Sequence, residues 1–150
     1  AAKRRGFETT VVMSQLTTPF TEGVRVPHKK EILKVVHKQF MDSCQWENIK
    51  IIKENVTAEL IESWLNKGCP VLVLISSYRM NGDKAPHWVV VTGSDDICFY
   101  VHDPDIQSIT DSELDCQHIP VAKDNFSKMV SYGNNRFSTA LCLSITHQNY

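Results

Sequence analysis

The chain has 150 residues, is 42% hydrophobic and carries a net charge of −1; this fits one domain, residues 1–150, with one sizeable core. Its charges are mixed along the chain, with neither the basic stripe of a nucleic-acid binder nor an acidic binding tail. The longest apolar run, Pro70 to Ile75, is far too short to span a bilayer and no secretory signal is visible, so neither nucleic acid nor membrane is expected as a partner.

In chain order, Ala1 to Gly6 reads as the end of a helix, basic near its C-terminus and stopped by Gly6. A helix cut off at residue 1, in a chain without an initial Met, suggests processing or a piece of something longer. Thr9 to Met13 is β-branched and reads as a strand. Ser14 to Val26 is a loop containing Pro19 and Gly23. His28 to Cys44 reads as a helix whose inward face carries Ile32, Leu33, Val36 and Phe40. His28 and His37 fall on nearly opposite sides of it and are expected to face solvent. Ile49 to Lys53 reads as a strand. Thr57 to Lys67 reads as a helix capped by Thr57, ended by Gly68 and buried through Leu60, Ile61, Trp64 and Leu65. Pro70 to Ile75 is a strand covered on both faces.

Ser76 to Pro86 is a polar loop with an Asn81-Gly82 turn. His87 to Thr92 and Ile97 to His102 form a hairpin around Gly93 to Asp96. Asp105 to Asp115 is a loop, Ala122 to Tyr132 a short helix ended by Gly133, and Arg136 to Thr146 the closing strand. Helices preceding a mostly antiparallel sheet make an α+β fold.

The hairpin is the most informative feature. It opens with His87 and closes with Asp103, so an antiparallel register brings both to the same edge of the sheet. A carboxylate there can hold the imidazole in one tautomer and stabilise its protonated form, the base-and-orienter half of a nucleophilic triad. Taken singly, His87 also reads as a half-buried histidine bonded to a backbone carbonyl, and Asp103-Pro104 as a turn start. His102 adjoins Asp103 but alternation points it to the opposite face. A metal reading would use His87, Asp103 and Asp105 with His102, although no H-x-H or H-x-x-x-H spacing supports it; no cofactor is expected.

The nucleophile is the missing member. The five cysteines include no C-x-x-C pair, which fits a reducing, cytoplasmic setting rather than a disulfide framework. None stands at a helix N-terminus, where the dipole lowers a thiol pKa. Cys44, Cys98 and Cys142 read as structural, with Cys69 and Cys116 as reserves.

These residues resemble a known family. Arg4 to Phe7 (RRGF), Lys67 to Leu74 (KGCPVLVL), Lys84 to Gly93 (KAPHWVVVTG), Tyr100 to Asp105 (YVHDPD) and Tyr132-Gly133 are similar to the C-terminal portion of bacterial peptidase C39-like proteins. The resemblance implies a papain-like cysteine peptidase fold lacking its N-terminal helical part, with His87 as general base and Asp103 as orienter. The family's nucleophile lies in an upstream C-G motif opening a long helix, after an oxyanion-hole Gln, and this sequence contains neither. The expected activity is amide hydrolysis of a peptide or protein substrate, with this chain inactive alone. Trp88 and the Ser76–Pro86 loop would border the substrate cleft. A non-catalytic peptide-binding or regulatory pseudopeptidase domain is the alternative, and a metal-dependent hydrolase the third reading. Without its helix the sheet would expose apolar residues, and self-association through residues 9–13 or the Val89/Val91 face would cover them.

Overall fold

The structure is a computed structural model that describes residues 1–82, 85–105 and 112–145. Lys84 of the histidine segment, positions 106–111 of the expected loop and Thr146 lie outside the described residues. Among the described residues seven strands form one sheet: β1 (Phe7–Met13), β2 (Lys50–Lys53), β3 (Val71–Ser76), β4 (Pro86–Ser94), β5 (Cys98–His102), β6 (Ile119–Ala122) and β7 (Thr139–Ile145). Their order is β2-β1-β7-β3-β4-β5-β6. Only β1 and β2 pair in parallel; all other neighbours are antiparallel. With helices α1 (Pro27–Trp46), α2 (Ala58–Leu65), α3 (Tyr78–Asn81) and α4 (Lys123–Met129), the architecture is α+β.

One face of the sheet carries the core. Val12, Val71, Val73, Ile75, Val89, Val91, Phe99, Val101 and Ala140 alternate inward along their strands and meet Ile61 and Trp64 of α2 and Phe126 and Met129 of α4. The Phe99 and Phe126 rings lie 4.8 Å apart, centroid to centroid. Thr57 caps α2 by accepting a bond from the Leu60 N–H. Lys123 at the start of α4 bridges to Glu62 of α2 at 2.6 Å. The Val89/Val91 face, expected to be open for self-association, is therefore the most deeply buried part of β4. Two helices that the sequence had already placed, α2 and α4, cover it.

The longest helix behaves differently. β1 to β2 and β2 to β3 are both parallel crossovers, running in opposite directions across the sheet. Right-handed connections then put α1 and α2 on opposite faces. α1 thus lies over the second face and contributes no fully buried residue. Ile32 and Phe40, expected inside, are 55% and 66% exposed, while Leu33 and Val36 are half-buried. Apolar spacing identified the helix, but the principal core had already been filled from the other side. Leu72, Val90, Leu141 and Leu143 on this second face stay half-buried, as do Val11 and Met13 of the 9–13 segment, and Trp88 is exposed. Among the described residues no helix is long and apolar enough to cross a membrane.

Besides short 3-10 turns at Thr21–Gly23 and Glu113–Cys116, a helix and a strand were not expected. α3 is a single helical turn within the Ser76–Pro86 segment, and the Asn81-Gly82 turn is its stop: Gly82 has φ 85° and donates its N–H to the Tyr78 carbonyl. β6 is short and exposes Pro120, which fits an edge strand because an outer position needs no ladder donor.

Candidate active site

The hairpin positions the site. Val91 opposes Val101 and Val90 opposes His102, with a bulge between Val91 and Gly93. Beyond the bulge, Asp95 closes the turn by accepting bonds from the Ile97 N–H (2.7 Å), the Cys98 N–H (2.6 Å) and the Tyr100 hydroxyl (2.6 Å). The Tyr100 bond, then the two amides, hold the Asp95 carboxyl down at about 2. The same bond, and then the carboxylate's charge, raises the Tyr100 hydroxyl above its ordinary value.

At the other end, His87 opposes Ile75 and so shares the face of Val89 and Val91. Asp103 follows Val101 by two residues and continues that face. The side chains meet there: His87 Nε2 lies 2.6 Å from Asp103 Oδ1, with 22% and 10% of the two side chains exposed. A carboxylate only accepts, so Nε2 carries the proton and Nδ1 keeps the lone pair in the neutral ring. The acceptor is fixed in turn. Asp103 Oδ1 also takes the Asp105 N–H at 2.9 Å, and the Asp103 N–H donates to the Cys116 carbonyl at 2.8 Å. On the histidine side, Ser77 donates both its N–H (3.2 Å) and its hydroxyl (3.3 Å) to the Ala85 carbonyl, bracing the chain just before Pro86. That brace was not anticipated, since a serine beside a loop gives no distinctive sequence signal.

The other candidate residues are not brought to the pair. Trp88 opposes Leu74 on the second face, away from the His87 side chain. His102 lies on that face too, its ring 4.5 Å from the His118 ring, and its buried Nε2 has no hydrogen-bond partner among the described residues. The set His87, Asp103, Asp105 and His102 is therefore split between faces. No group of three or more His, Cys, Asp or Glu side chains that could hold a metal occurs among the described residues.

The thiols are also elsewhere. Cys69 and Cys142 are buried in the core, and burial first, then the neighbouring Cys69, pushes the Cys142 thiol up to about 12. Burial and then Glu47 raise the Cys44 thiol. Cys116 sits on the β6 side of Asp103, whereas His87 is on the β4 side, and its Sγ is 3.9 Å from the Asp105 carbonyl. No hydrogen bond joins His87 to a cysteine among the described residues.

A separate cleft of about 1080 Å³ opens between α1, residues 15–23, Pro86 and residues 132–137. Phe137 in its wall is buried but apart from the main core, which agrees with the cleft's place on the second face. His37 lines it, donating from Nε2 to the Leu16 carbonyl at 3.0 Å rather than facing solvent. Helical phase alone could not reveal this contact, because its partner comes from a loop 21 residues upstream.

A hydrogen-bonded histidine–carboxylate pair, where β4 begins and β5 has just ended in a mostly antiparallel α+β sheet, is thus the chemical feature of this fold. A family model described as the Peptidase_C39 like family matches residues 1–144, and the chain belongs to that family. No curated protein and no solved structure matches it.

Proposed function

We propose that this chain supplies the histidine and carboxylate of a cysteine-peptidase-like amide hydrolase. The observation that carries the reading is the 2.6 Å contact of His87 Nε2 with Asp103 Oδ1, which leaves Nδ1 as the proton-accepting atom. In this reading His87 holds a thiol nucleophile as a thiolate–imidazolium pair. The thiolate attacks the amide carbonyl, and the imidazolium then protonates the leaving amine. Asp103 is a positioning residue that keeps the ring in the Nε2–H tautomer. The substrate is a peptide or protein, and the working compartment is the cytoplasm, in keeping with five free thiols.

The nucleophile comes from outside these residues in this reading, because Cys69 and Cys142 are buried, the Cys44 thiol is raised, Cys116 is on the wrong side of Asp103 and Cys98 is at the far end of β5. The same distribution favours a second reading, a domain that binds peptides without cutting them. One experiment separates the two: assay a fluorogenic peptide library with the product of the whole reading frame and with this 150-residue chain. Hydrolysis by the former alone, abolished by His87→Ala and reduced by Asp103→Asn, is expected. Peptide binding without turnover would support the second reading. Thiol-dependent turnover by the 150-residue chain, abolished by replacing Cys69 or Cys116, would overturn both.

A further inference from the structure

The cleft on the second face is built from two kinds of surface. Its floor is aromatic. Phe20 packs edge-on against Tyr132 at 5.6 Å and against Phe137 at 5.8 Å, yet remains 41% exposed, so the cluster offers a ring face to whatever enters. Its wall is cationic. α1 presents Lys34 and Lys38 one turn apart, with His37 between them.

The charges in the cleft do not cancel. Lys34 pairs with Glu31 at 2.8 Å and Lys38 with Asp42 at 3.1 Å, but neither carboxylate lines the cleft. Exposed pairs of this kind are weak and exchange readily, and a carboxylate left behind is solvated by water. Among the described residues, the only carboxylate lining the cleft is Glu22, which accepts a bond from the Asn135 side-chain amide at 2.8 Å. An entering group therefore meets two movable ammonium groups against one carboxylate, Glu22, whose Oε1 is already engaged by Asn135. Among the described residues the wall has neither an arginine fork nor a glycine-rich phosphate cradle, so its charge suits a single carboxylate better than a phosphate.

We propose that this cleft binds a small aromatic carboxylate, its ring on Phe20, Tyr132 and Phe137 and its carboxylate between Lys34 and Lys38. The site is distinct from the His87–Asp103 pair. Pro86 borders it, but the next side chain along β4, His87, turns to the other face.

The test is a titration of the isotopically labelled chain with N-acetyl-L-phenylalanine and, in parallel, with N-acetyl-L-phenylalaninamide, which has the same ring and no charge. Amide resonances of residues 20–23, 34–38 and 132–137 should shift saturably with the acid. The amide should bind about tenfold more weakly, the difference expected for one charge-assisted contact at an exposed site. The Lys34→Ala/Lys38→Ala double variant alters two exposed side chains, so it should fold normally and bring the acid down to the affinity of the amide. Phe20 has φ 64°, which glycine adopts freely, so Phe20→Gly should weaken both probes alike without backbone strain. Equal affinities for acid and amide, absence of saturable shifts, or shifts confined to Trp88 and Val90 would each overturn the proposal.

Discussion

Replacing Asp103 isolates the energetics of the histidine–carboxylate pair. Asp103→Ala removes an acceptor that serves His87 Nε2 at 2.6 Å and the Asp105 N–H at 2.9 Å. A bond to a charged acceptor contributes about 1.5–3 kcal/mol net. Asp105 is exposed, so its freed N–H takes water and adds little. His87 is partly exposed as well and its nitrogen rehydrates in part, which puts the loss at the lower end, about 1.5–2 kcal/mol. Asp103→Asn keeps an acceptor oxygen of the same shape but loses the charge. A neutral bond is roughly half as strong as a charge-assisted one, so this variant should lose about 1 kcal/mol. With a urea slope of about 2 kcal/mol per molar, the alanine variant's midpoint should fall by about 0.8–1 M and the asparagine variant's by about half that. Urea unfolding read by tryptophan fluorescence gives the midpoints. Nitrogen NMR of the imidazole gives the tautomer, which should stay Nε2–H in Asp103→Asn and become mixed in Asp103→Ala. An alanine variant with a wild-type midpoint and an unchanged tautomer would refute the inference that the carboxylate orients His87. So would zero coupling between His87→Ala and Asp103→Ala in a double-mutant cycle.

Two further outcomes test other parts of the molecule. The Asp95 carboxyl is depressed to about 2 in the fold, so its stabilisation is complete above the unfolded value of about 4 and disappears as pH falls through 2. Asp95→Asn should therefore flatten the acid limb of the stability curve in that window, and an identical limb in variant and wild type would show that the turn does not depend on the charge. On α1, changing Ile32, Val35 and Phe40 singly to Gln should shift stability by no more than about 0.5 kcal/mol each, because all three are exposed. Losses of about 2 kcal/mol, as for truncating a buried side chain, would place that face in a core.

Much of the site was legible because an antiparallel hairpin converts sequence position into spatial position. Counting outward from the Gly93–Asp96 turn puts His87 and Asp103 at one end; the bulge between Val91 and Gly93, which counting did not anticipate, shifts the register by one residue and so brings Asp103 onto the face of Val89 and His87. The same alternation that set His102 on the face away from Asp103 also separates Trp88 from His87, and applied to both strands it would have removed Trp88 from the cleft. The caps and stops of α2 were readable from Thr57 and Gly68, whose local chemistry is decisive. Less was legible where tertiary context dominated. Ile119 to Ala122 is too short and too interrupted by Pro120 to announce a strand; its pairing with β5 makes it one. The periodicity of α1 is real, but a helix pattern does not reveal whether the sheet face beneath it is already covered by something else. The aromatic cleft draws on residues 15–23 and 132–137, far apart in sequence, and no local motif links them.

The placement of β7 has a consequence for how the chain is made. Every residue of β1, from Phe7 to Met13, pairs with β7, from Ile145 back to Thr139, while the other edge of β7 pairs with β3. During synthesis β3 to β6 can zip together as they emerge, each pairing antiparallel with the strand before it. The first two strands cannot join them until the last has left the ribosome, on the order of ten seconds later at about 5–20 residues per second. Until then the half-built sheet presents unpaired edges at β1 and β3, the species most exposed to mispairing with another nascent chain. Because β7 is, among the described residues, the only strand that touches both halves, losing it would leave two disconnected ribbons rather than a smaller sheet.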